Sequence, residues 1–171
     1  MTVRSFGDAR PKVAPTAWVS EAAYVIGDVE IGDGSSVWPG AVVRGDFAPI
    51  RIGANTHVED NCVLHCGEEL TLGDNITLGH GVVVHCRSIG DNCLIGNGAI
   101  LLDGAEIGDH SIVGAGALVL ARTTIPPRSF AIGHPVEIRE ASSERVARLE
   151  ARGSRDGGYA RMVQRYRELG L

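Results

Sequence analysis

Residues 89–125 read IGDNCLIGNGAILLDGAEIGDHSIVGAGALVLARTTI, which puts an aliphatic residue at every sixth position: Ile89, Ile95, Leu101, Ile107, Val113, Val119 and Ile125. A period of six fits neither a 3.6-residue helix nor the two-residue alternation of a hairpin sheet. The same frame runs back through Leu72, Leu78 and Val84, through Ile52, Val58 and Leu64, and through Val19, Val25, Ile31, Val37 and Val43. Three such steps make one coil of a triangular prism, each aliphatic residue pointing inward and stacking over its counterpart about 18 positions on. Some six coils are expected. The step lengthens to nine residues between Val43 and Ile52 and to eight between Leu64 and Leu72, and shortens to five between Val84 and Ile89. The two long steps predict small loops pushed out from a corner, where function usually sits; the short one tightens a turn.

Glycine often follows the frame, as in Ile31-Gly32, Ile52-Gly53, Leu72-Gly73, Ile89-Gly90 and Ile107-Gly108, which predicts corners that need permissive backbone. The composition agrees: 44% hydrophobic residues but only 5% aromatic, with 23 glycines, describes small and β-branched packing with many turns. After Ile125 the prolines at 126, 127 and 135 argue against further paired strands, so residues 1–135 are read as the β-helix and 136–171 as a C-terminal helical segment packed along it. Ser142-Ser143-Glu144 opens that segment, Val146 and Leu149 give it an apolar stripe, and Gly153 closes a first helix. Residues 158–169 form a second amphipathic stretch.

The net charge of -5 is uneven: residues 139–171 hold eight arginines against five acids. Their signs alternate, which reads as a solvated helix face or packing surface and argues against a nucleic-acid partner. No segment approaches the ~20 apolar residues that span a bilayer, nor is there a leader-like N-terminus, so no membrane association and a cytoplasmic location are expected. Cys62, Cys66, Cys86 and Cys93 lack paired spacing and read as buried thiols, although the frame sets Cys66 over Cys86 and leaves a disulfide open.

The frame stacks Leu64 beneath Val84, so His65 and His85 share a corner, with Arg44 in the same column. Neighbouring strands lie about 4.8 Å apart, close enough for two imidazoles to converge on one ion. His80 follows Leu78 one corner earlier, well beyond reach of that ion within one chain. A neighbouring copy can supply it if the contact is head-to-tail and a three-fold axis closes the ring, giving a three-histidine site at each interface. His57, His110 and His134 show no comparable pattern.

These residues resemble the gamma-class carbonic anhydrases, within the left-handed β-helix hexapeptide-repeat proteins. The matching text is Val43-Arg44-Gly45-Asp46, Ile52-Gly53-Ala54-Asn55-Thr56, Glu59-Asp60-Asn61-Cys62-Val63-Leu64-His65 and Leu78-Gly79-His80-Gly81-Val82-Val83-Val84-His85. The resemblance implies a left-handed coil and a homotrimer. It also implies an interfacial metal held by His65 and His85 of one chain and His80 of the next, and hydration of CO2 to bicarbonate by a metal-bound hydroxide. Zn2+ is the default ion, and Fe2+ or Co2+ also accept three imidazoles. Arg44 and Asp46 are expected to form an ion pair that ties subunits together, with Asp60 as a second partner of the arginine.

Departures from the family pattern are equally legible. Glu59 stands where the family's active members carry Gln, Phe47 where they carry a Glu, and Gly158-Tyr159 where relatives show Asn-Tyr. The long acidic loop between the first two metal histidines is missing, which leaves Glu68 and Glu69 as candidate proton carriers and Tyr159 as a candidate site-lining residue. Two alternatives follow: a trimeric metal-binding scaffold with weak or no catalysis, and a CoA-dependent acyltransferase or thioesterase, since the same coil hosts such enzymes.

Overall fold

The computed structural model describes residues 2–154 and 158–170, and its backbone is a parallel β-helix of about seven turns followed by two helices. Three columns of short strands build it. On one face Val19, Val37, Val58, Leu78, Ile95, Val113 and Ala131 lie in register. On the next, Val25, Val43, Leu64, Val84, Leu101 and Val119 do so. The third aligns Ile31, Ile52, Leu72, Ile89, Ile107 and Ile125. Every inward residue of the six-residue frame is therefore where the spacing put it, and nearly all of these residues are fully buried.

The stack is longer at both ends than the spacing alone suggests. Val3–Arg4 and Lys12–Val13 add strands beneath the first full coil. At the other end Ser129–Gly133 pairs in parallel with Ile112–Val113 despite the flanking prolines, and Val136–Glu140 returns antiparallel beside it. The prolines fall outside these two strands, so the ladder loses no donor. The helical part accordingly starts later than residue 136, with α1 at Ser143–Ser154 and α2 at Gly158–Leu169. Ser142 caps α1 through its Oγ, which accepts the Arg145 N–H, and the helix runs through Gly153 instead of ending there.

The corners are more specific than a need for flexible backbone. Left-handed φ falls not on the glycine that follows each aliphatic but further round the turn, for instance on Asn55, Asn61, Asn75 and Asn92 at 51° to 59°, which asparagine tolerates. The glycine is required by crowding. A Cβ on Gly73 would lie 2.2 Å from Asp91 Oδ1, because stacked aspartates run up this edge, each carboxylate accepting a backbone N–H of the coil before it.

The long step after Val43 is also not a loop. Val42–Ile52 is one continuous strand, and the extra residues bulge out against Asp28 between the pairs Gly45–Gly27 and Ile50–Val29. Gly27 makes the bulge possible: at φ +86° its missing Cβ would sit 2.2 Å from the Gly45 carbonyl oxygen. The eight-residue step after Leu64 is a loop, with Gly67, Glu68 and Glu69 exposed.

All four cysteines are free and buried, and burial pushes their thiols up to about 11 for Cys62 and Cys66 and to about 12 for Cys86 and Cys93. Among the described residues no helix is long and apolar enough to cross a membrane.

Inward and outward strand residues should respond very differently to truncation. Ile95→Ala removes a stacked, fully buried side chain and is expected to cost about 2–5 kcal/mol in denaturant unfolding. Thr71→Ala, on an exposed outward position, is expected to stay within about 0.5 kcal/mol; equal losses at the two sites would refute the assignment of faces.

Candidate metal centre

The three faces differ in the residue that points outward just before each buried aliphatic. The face of Ile31 shows Lys12, Glu30, Arg51, Thr71, Ser88, Glu106 and Thr124, and its charges pair across coils, as in Lys12–Glu30 at 2.7 Å. The face of Val19 carries Trp18, Ser36, His57, Thr77, Leu94, Ile112 and Phe130, and the helices cover part of it. Trp18 and Trp38 pack with Val163, Tyr159 and Tyr166 of α2, while Arg145 of α1 stands 4.1 Å over the Phe130 ring. The face of Val25 presents Tyr24, Val42, Val63, Val83, Ile100 and Leu118, an apolar stripe; Tyr24, Val63 and Val83 are exposed.

The candidate ligands bracket that stripe. His65 and His85 follow Leu64 and Val84 at one edge, on successive coils, with ring centroids 5.4 Å apart. Arg44 shares their column as expected, and its Nη1 donates to Asp46 Oδ2 at 2.6 Å. The other carboxylate oxygen, Asp46 Oδ1, is 3.2 Å from His65 Nε2. Phe47, within the bulge, is exposed and meets the His65 ring edge-on at 5.7 Å.

Electrostatics at this edge favour neutral imidazole. Burial lowers the His65 pKa, and the Arg44 charge lowers it further against the opposing pull of Asp46. Burial acts the other way on Asp46, but the hydrogen bond and charge of Arg44 prevail and hold its carboxyl below the usual range. His85 Nδ1 is buried; Asp103 Oδ1 lies 3.0 Å from it without hydrogen-bond geometry, so the nitrogen has no hydrogen-bond partner. Two neighbouring imidazoles, one held neutral and one with an orphaned nitrogen, suit a borderline-soft divalent cation.

His80 stands at the opposite edge, ahead of the same strand that His85 follows. Its Nε2 is 3.2 Å from Glu59 Oε2 and its Nδ1 3.1 Å from Asp60 Oδ2, and its side chain is 58% exposed. Tyr159 of α2 donates its hydroxyl to Glu59 Oε1. Within one chain Asp60 thus meets His80, while Arg44 pairs with Asp46. Among the described residues no group of three potential ligands forms in a single chain.

The candidate proton carriers separate. Glu68 lines an open cavity of about 520 Å³ together with His85, Asp103, Cys66 and Arg122, whereas Glu69 lies outside this lining and its charge acts on Arg51. Sequence reading missed Asp103, two residues after Leu101 and thus one coil above His85. It also missed the apolar stripe, although Val42, Val63, Val83, Ile100 and Leu118 each precede a frame residue.

A family profile described as bacterial transferase hexapeptide (six repeats) matches residues 88–121. The gamma carbonic anhydrase 1 of Arabidopsis thaliana, a mitochondrial protein, is 39% identical over 155 residues, covering 85% of this chain. This chain spans 56% of that relative's length. A carbonic anhydrase of Geobacillus kaustophilus is 39% identical over 143 residues, covering 82% of this chain and 79% of its own. Among solved structures, a Bacillus cereus protein named a candidate acetyltransferase superposes with a TM-score of 0.90 at 37% identity, covering 98% of this chain and 97% of its own.

Because the folded state favours the Asp46 carboxylate, its contribution to stability is complete above about pH 4 and is lost as pH falls through its lowered folded value. Asp46→Asn is expected to lower the melting temperature by a few degrees at pH 7, with the gap to the parent protein closing in acid. A gap that stays constant from neutral pH down to pH 2 would contradict the role given to the Arg44 pair.

Proposed function

The chain belongs to the gamma carbonic anhydrase family, and from that premise we propose that it interconverts CO2 and bicarbonate at metal sites formed between the subunits of a homotrimer. One observation carries the reading: two half-sites lie at the opposite edges of one uncovered apolar face. Packing that stripe against a neighbour removes apolar surface from water. A head-to-tail contact closed by a three-fold axis brings the His80 edge of one copy to the His65 and His85 edge of the next.

Zn2+ is the expected ion, with Fe2+ or Co2+ as further candidates for three imidazole donors. Such an ion supplies Lewis acidity that makes a water proton labile near neutral pH, the effect for which carbonic anhydrase is itself the standard example. The chain's own residues do the rest. His65, kept neutral by burial and Arg44, needs to lose no proton before it coordinates. Asp46 fixes the ring of His65 and Arg44 fixes Asp46, so the order of those contacts sets the imidazole's orientation. Glu59, gripped by Tyr159, offers oxygens that accept a proton or hydrogen bond where the family's glutamine also donates one, and its charge disfavours a bound bicarbonate. Glu68, at the rim of the cavity beside His85, is better situated than Glu69 to carry a proton to solvent.

Two other readings have specific support. Glu59 in place of glutamine favours a metal-binding trimer without turnover. The Bacillus cereus neighbour's name, an acetyltransferase, favours the acyltransferase alternative, whose activity would survive chelation.

Purified anaerobically, the protein is expected to run as a trimer of its 18.0 kDa chain with about one divalent ion per chain, and to hydrate CO2 in a chelator-sensitive manner. His65→Ala and His80→Ala should each abolish turnover, yet co-expressed chains should regain part of it, since a mixed trimer contains one intact interface. A metal-free monomer would sink the proposal. A metal-loaded trimer without turnover would leave the scaffold, and acyl-CoA turnover in chelator would favour the transferase.

A further inference from the structure

We propose that His57 is a positioning residue that sets the Tyr159 hydroxyl on Glu59, an inference that rests on the site described under Proposed function. His57 is the outward residue of its strand on the helix-covered face. Its ring stacks on Tyr159, centroids 4.0 Å apart and planes 24° apart. The Tyr159 hydroxyl in turn donates to Glu59 Oε1, and Glu59 Oε2 lies 3.2 Å from His80 Nε2. A continuous path of contacts thus leads from His57 to a candidate metal ligand.

The other side of His57 is anchored. Its Nδ1 is 2.8 Å from Ser36 Oγ, and Ser36 Oγ accepts the Trp38 indole N–H at 2.8 Å. The Ser36–Nδ1 hydrogen bond, whose direction follows the imidazole tautomer, fixes the imidazole in its plane, and the Trp38 indole holds the Ser36 oxygen in place. Ser36 is fully buried and Trp38 nearly so, which leaves neither room to swing. Trp38 also meets the Tyr159 ring edge-on, at 6.1 Å and 62°. The flat stack sets the height of the tyrosine ring above the strand, and the edge contact sets its position along the face. Tyr159 sits in the first turn of α2, where its helix alone holds it least firmly. Without the imidazole the hydroxyl would drift from Glu59 by a fraction of its reach, enough to impair catalysis that depends on orientation.

Two measurements on the full chain as a metal-loaded assembly test this. His57→Ala is expected to lower kcat for CO2 hydration roughly ten- to a hundredfold, with KM, metal content and assembly mass unchanged. His57→Phe, which restores a stacking ring, should recover most of the loss. In parallel, the 13Cζ resonance of Tyr159, assigned with Tyr159→Phe, reports its hydroxyl contact and should shift in His57→Ala but little in His57→Phe. An unmoved resonance overturns the proposal whatever the assay gives, and so does a shifted resonance with full kcat. Loss of metal or of assembly in His57→Ala would make the role structural and overturn it as well. If the parent protein hydrates no CO2, the enzyme reading fails, and the resonance alone decides whether His57 positions Tyr159.

Discussion

An aliphatic side chain that points inward from a two-residue strand can leave water only if the next coil sets another directly above it. That stacking constraint governs the whole molecule. Ile95 lies between Leu78 and Val113, and the backbone N–H groups of each coil find their acceptors on the next, so burial and hydrogen bonding impose the same register. The columns absorb the long steps of nine and eight residues by expelling the excess and the short step of five by tightening a turn, leaving Val43, Leu64 and Val84 aligned. His65 and His85 are neighbours for this reason alone: each is the residue after a stacked aliphatic.

With the inward residues committed to the core, the outward ones are free to differentiate the faces. One face is charged and solvated, one is covered by α1 and α2 through aromatic packing, and one stays apolar and open. The helices bring Tyr159 to Glu59, so the C-terminal segment completes the His80 edge that the coil begins. The open face separates that edge from the His65 and His85 edge. The distribution of polarity around the prism and the distribution of candidate ligands are thus two aspects of one arrangement.

The bulge after Val43 shows how a local departure is accommodated. Val42–Ile52 remains a strand, and the crossing of Gly27 and Gly45 is tight enough to exclude a side chain at either residue. This crowding fixes Arg44 and Asp46 beside His65, where the arginine both holds the carboxylate ionised and disfavours a charged imidazole. Crowding by stacked aspartates also explains glycines such as Gly73 that spacing alone suggests are there for their conformational freedom.

Much of this was legible in the residues. A strict six-residue period fixes the columns, because only a coil buries a side chain at every sixth position. Once the columns are known, Arg44, His65 and His85 fall together and His80 falls one corner away. The alternation that marks the open face was present too, in Val63 before Leu64 and Val83 before Val84, but it carries meaning only when the three faces are compared. What the tertiary structure alone decided are contacts between residues far apart in the chain: the extra rung at Ser129–Gly133, the contact of Asp46 with His65, and the seat of Tyr159 between His57, Trp38 and Glu59. Periodicity specifies which side of a strand a residue faces. It says nothing of where a helix 100 residues later comes to rest, because that depends on aromatic side chains packing across a face with no period of their own.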